Sequence, residues 1–70
     1  MKLYQVVVRG HLAFLSGTDA IHSRRVFRTR EEAEAYIPEF SKICLTPRTE
    51  GDLFLLESIE KTKVNEIELE

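Results

Sequence analysis

Between Leu3 and Leu15 the chain alternates with a period of two: the even positions read Tyr4, Val6, Val8, Gly10, Leu12 and Phe14, and the odd ones include Gln5, Arg9 and His11. A twelve-residue alternation of this kind predicts a long, half-buried strand, because successive side chains on a strand point to opposite faces. Gly10 sits midway and predicts a bend, a bulge or a close backbone contact rather than a strand end. Ser16, Gly17, Thr18 and Asp19 form a polar turn cluster. The chain then resumes from Ala20 to Arg28, where Ile21, Val26 and Phe27 supply the apolar positions of a return strand.

At Thr29 the period changes. Thr29-Arg30-Glu31-Glu32 fits a capping box, with the Thr hydroxyl accepting from the third helical amide and Glu32 reaching back to the cap amide. Ala33, Tyr36, Ile37, Phe40, Ile43 and Cys44 follow at spacings of three and four and line one helix face. Pro38 falls inside this run, which predicts a kink or break near Ile37. Leu45 to Asp52 reads as a loop bracketed by Pro47 and Gly51, and Leu53 to Glu60 as a strand that starts buried and ends wet. Lys61 and Thr62 are expected to turn the chain into a last strand, Val64 to Leu69. There Ile67 and Leu69 share one face, with Glu66, Glu68 and Glu70 on the other. The expected architecture is α+β in two layers: an antiparallel sheet, in the order β-β-α-β-β, with one helix packed on one face.

Seventy residues, 43% of them apolar, make one domain with one core, residues 1–70. A domain of this size stands on a net of about a few kcal/mol, so a partner protein or a second copy of the chain, as a homodimer, is an expected source of support. Cys44 is the one cysteine; no internal disulfide forms and no Cys/His cluster offers a structural zinc site. The opening apolar run is too short for a signal peptide and no stretch approaches a membrane span. These features point to a reduced, cytoplasmic setting.

The formal net charge of −2 conceals an asymmetry. Residues 1–30 carry six Lys and Arg against Asp19 alone, whereas residues 31–70 carry four against eleven carboxylates. The basic knot is Arg24, Arg25, Arg28 and Arg30; the acidic end is Glu66, Glu68 and Glu70. Either arginines and glutamates on neighbouring strands neutralise one another, or each cluster meets an outside partner of opposite sign. Arg24, Arg25, Arg28, Arg30, Glu66 and Glu68 are therefore the candidate partner-binding residues.

Catalytic chemistry finds little support. His11, His22 and Asp19 are the only conceivable metal or proton-transfer set, without characteristic spacing. Ser16, in Leu-Ser-Gly-Thr-Asp, lacks the first glycine and the strand-to-helix setting of a nucleophile elbow. Cys44 belongs to the apolar helix face, where a thiol is inert. The glycine-rich signature and lysine of a phosphate loop are missing. The reading is a non-enzymatic chain without cofactor or metal: a protein-interaction module, regulator or inhibitor. The alternative is a nucleic-acid binder using the Arg24–Arg30 segment beside His22 and Phe27, against which stands a pI near 5.7.

The stretch Val26 to Ile37, VFRTREEAEAYI, with the hairpin before it and the closing Val-Asn-Glu-Ile-Glu-Leu-Glu, resembles small uncharacterised proteins of bacteria and their phages. Those chains share the hairpin, the helix start and a final strand of alternating glutamates. The resemblance implies this order of elements and no defined activity or functional residue. The chain departs from that pattern at Pro38 and in the longer segment after the helix. Many such phage and mobile-element products act by blocking a host protein, which is the class of action the resemblance implies.

Overall fold

The computed structural model describes residues 1–14, 16–46 and 55–69. It contains strands β1 (Lys2–Leu12) and β2 (Thr18–Phe27), helix α1 (Arg30–Leu45) and strand β3 (Leu56–Glu68). The sheet is antiparallel with β1 in the centre, in the order β2-β1-β3, and the helix lies across one face. The architecture is thus α+β, but among the described residues the order is β-β-α-β with three strands, not the expected four.

The merged strand has a physical cause. The apolar residues of β3 that join the core, Leu56, Ile59 and Val64, are spaced by three and then five, which a regular strand cannot place on one face. Two register shifts against β1, one between Arg9 and Gly10 and one between His11 and Leu12, absorb the mismatch. Each bulge inserts one residue, Glu60 and Glu57, and returns the next apolar side chain to the helix side. Lys61 and Thr62 stay in the ladder, opposite Arg9 and Val8, instead of turning the chain. Gly10 makes room for the first bulge: a Cβ there would run into the Ser58 carbonyl oxygen and stand 3.1 Å from the Ile59 Cα.

The hairpin is shifted from its expected bounds. β1 ends at Leu12, and Phe14 is 64% exposed rather than part of the buried face; Leu15 lies outside the described residues. β2 begins two residues early, at Thr18, after a turn in which Gly17 has φ +101 and its carbonyl accepts from the Leu12 amide at 3.2 Å. Leu53 and Phe54, the expected start of the third strand, also lie outside the described residues, together with most of the loop before them.

Thr29 caps α1 as its sequence predicts, accepting from the Glu32 amide at 3.2 Å. The Glu32 carboxylate, however, receives the Thr29 hydroxyl at 3.2 Å instead of the cap amide. α1 runs through Pro38 as one sixteen-residue helix, so the expected break does not occur. Pro38 and Glu34 are both exposed, and the Glu34 carbonyl, which loses its intrahelical donor to the proline ring, is left to water. At the other end the Thr46 hydroxyl donates to the Lys42 carbonyl at 2.6 Å.

The core is Val6, Val8, Phe27, Ala33, Phe40, Cys44 and Leu56, flanked by Tyr4, Leu12, Ile21, Tyr36, Ile37, Ile59 and Val64. Every α1 position predicted to be apolar faces inward to some degree, Ala33, Phe40 and Cys44 fully.

Candidate functional site

β2 is irregular where its arginines begin. Val7 pairs with His22 and Gln5 with Val26, so one residue of β1, Val6, faces three of β2 and the segment 23–25 forms a bulge. Ser23, 1% exposed, holds the bulge in place. The Val6 amide donates to its Oγ at 3.1 Å, its hydroxyl donates to the Arg25 carbonyl at 2.7 Å, and Gln5 Nε2 donates to its carbonyl at 2.6 Å. A buried polar group satisfied this fully fixes one local geometry.

Two of the four arginines lie on aromatic rings. The Arg25 guanidinium stands 5.1 Å from the Phe27 centroid and 5.7 Å from that of Tyr36; Arg30 stands 5.5 Å from that of Tyr4. Three rings form a row, with Phe27 and Tyr36 5.3 Å apart and Tyr36 and Phe40 5.9 Å apart, and Tyr4 stands opposite Phe27 in the register of the strands. Beside that row, between the β2 edge and α1, runs a groove of about 410 Å³ lined by Arg24, Arg25, His22, Tyr36, Phe40, Ile21 and Ile43. Arg28 is exposed just after β2.

The acidic candidates are elsewhere. Glu66 and Glu68 sit on β3, opposite Tyr4 and Lys2 of β1, on the sheet face that carries the helix. The strand order puts β1 between the arginine-bearing and glutamate-bearing strands, so the two clusters do not neutralise one another as neighbours. The ion pair among the described residues is Lys2 Nζ to Glu66 Oε1 at 3.0 Å, between β1 and β3. The hydrogen bond and charge of Glu66 raise the Lys2 pKa above its ordinary 10.5.

His11 pairs with Thr18 and His22 with Val7, four β1 positions apart, which is about 13 Å along a strand. Asp19 opposes Gly10, on the other face, and its Oδ1 accepts from the Ala20 amide at 2.8 Å. Among the described residues no three His, Cys, Asp or Glu side chains gather to hold a metal ion. Cys44 is buried in the core and Ser16 is exposed in the turn. No described helix is long and apolar enough to cross a membrane.

Reasoning along the sequence missed a second group. Alternation and register place Arg9, Lys61 and Lys63 on the sheet face opposite the helix, with His11 and His22. The signal was the parity of Arg9 in β1, but its partners became visible only once β3 was one bulged strand rather than two. Comparison of the chain with protein-family models, with curated proteins and with solved structures finds no match.

Proposed function

We propose that the protein is a non-enzymatic interaction module whose groove between β2 and α1 receives an acidic, apolar segment of a partner protein. The supporting observation is the groove itself: Arg24 and Arg25 line it together with Tyr36, Phe40, Ile21 and Ile43. Aromatic residues and arginine are the types that dominate protein interfaces, because they combine large apolar contact with directed polar groups. The guanidinium of Arg25, preorganised on two rings, loses little freedom on meeting a carboxylate. The bulge of β2 also interrupts the edge ladder, which favours side-chain recognition over addition of a partner strand.

The test is an array of immobilised peptides of about twelve residues that pair Glu or Asp with Leu or Phe, beside copies with lysine in place of each acid. Binding of the wild-type chain to the acidic series, lost in Arg24→Glu with Arg25→Glu and weakened at least tenfold in Tyr36→Ala, supports the reading. Equal binding to both series, or no response to either variant, overturns it.

A further inference from the structure

We infer that the sheet face opposite the helix is a second binding surface, one that takes the phosphodiester backbone of a nucleic acid. The register builds three rows across this face: Thr18, His11 and Ser58; Ala20, Arg9 and Lys61; His22, Val7 and Lys63. Twelve of the chain's seventy residues are acidic, yet none occupies any of these nine positions. Three are permanent cations, two are histidines, two carry hydroxyls, and Val7 and Ala20 form a small floor. The surface is concave, about 450 Å³ in volume, with Val7 at its base and Arg9, Lys61, Lys63 and His22 around it; Glu60, the bulged residue, stands at its border.

The cations are available. None of Arg9, Lys61 and Lys63 has an ion pair among the described residues, where the pair is Lys2 with Glu66. Arg9 donates to Thr18 Oγ1 at 3.3 Å, which holds its guanidinium along the face. No described element covers these rows, whereas on the other face Val6, Val8, Ile21 and Ile59 pack in one cluster with residues of α1.

Charge and texture together select the occupant. A net charge of −2 disfavours polyanions at long range, but at physiological salt only charges within about 8 Å count fully, and within that distance the face is basic. Lys61 and Lys63 are two residues apart on one strand, about 6.8 Å, so they present evenly spaced point charges, with hydroxyl donors on the adjoining row. Lysines and hydroxyls on a shallow floor without Phe, Tyr or Trp match phosphate and sugar contacts, which position a backbone without reading its bases. The surface shares His22 with the groove at Arg24 and Arg25 but none of its cations, so charge reversal at one set of cations tests either proposal without the other.

The experiment is fluorescence anisotropy of the full chain with labelled single-stranded DNA, single-stranded RNA and duplex DNA of about twenty nucleotides. With three phosphates neutralised on a single strand, the logarithmic salt slope is about −2, so affinity falls roughly 20-fold between 50 and 200 mM salt. Lys61→Glu with Lys63→Glu should lower affinity at least tenfold. The milder Lys61→Gln with Lys63→Gln should lower it less, and Arg24→Glu with Arg25→Glu should leave it within twofold. Amide shifts on titration should centre on Val7, Arg9, His22, Lys61 and Lys63, a readout independent of any variant. Absence of saturable binding at 50 mM salt overturns the proposal. So does equal loss in the Arg24 and Arg25 variant, or competition by polyglutamate as strong as that of unlabelled strand, which would identify the occupant as an acidic protein.

Discussion

The two faces of the sheet are built from the same three strands, yet they obey different rules. On the helix side, Val6 and Val8 are buried by apolar neighbours drawn from β2, β3 and α1. On the far side, Val7 is just as inaccessible, at 3%, but stands outside the core cluster and has Arg9, His22, Lys61 and Lys63 around it. Long cationic side chains can bury their methylene stems against an apolar residue while their charges remain in water. One face therefore uses burial to stabilise the fold, and the other shields a single valine without discarding its charge. Low exposure by itself does not distinguish a core from a covered surface.

The largest test of this contrast acts at the joint that gives β3 its two faces. Gly10→Ala drives a methyl into the Ser58 carbonyl, and the bulge that points Ile59 inward and Lys61 outward cannot form unchanged. A loss of about 3 kcal/mol is expected, measured by urea denaturation, with hydrogen-exchange protection falling first between Leu56 and Ile59. Unchanged stability would mean that the close approach is not needed for the register.

A matched pair of substitutions comes next. Val6→Thr buries a hydroxyl beneath the helix and should cost about 2 kcal/mol, whereas Val7→Thr leaves its hydroxyl within reach of water in the open concavity and should cost less than half as much. Equal costs in thermal or urea unfolding would break the distinction between the faces.

The smallest effect concerns Lys2 and Glu66, at the rim of the helix-side face. Because Glu66 raises the Lys2 pKa above 10.5, the contribution of the pair is present in full below the ordinary lysine value and is lost as pH rises through the elevated folded value. Wild type and Lys2→Ala, followed from about pH 9 to about pH 12, should differ by a small constant amount that closes at the alkaline end. A difference that grows with pH has the wrong sign and would refute the assignment. The pair is exposed, so moderate salt should erase most of the effect.

The hairpin, the Thr29 cap and the apolar stripe of α1 were legible because each depends on residues within a few positions of one another. The single bulged β3 was not, since its irregular apolar spacing imitates two short strands when read alone and makes sense only against β1. Pro38 was misleading for a related reason: its cost depends on whether the freed Glu34 carbonyl reaches water, which the exposed helix face permits. Arg24 and Arg25 were visible as a cluster, but the buried Ser23 that fixes their bulge and the rings beneath Arg25 were not.

The sequence by itself determined the elements that close locally: a long alternating strand, its return, a capped amphipathic helix, and an acidic tail on a strand-forming segment. Only the tertiary structure decided that β1 lies between the strands of opposite charge, and that Arg9 shares a row with Lys61. The reason is register. A one-residue bulge costs little locally but inverts the facing of every side chain beyond it, so which charges meet is fixed by pairings between strands about fifty residues apart in the chain.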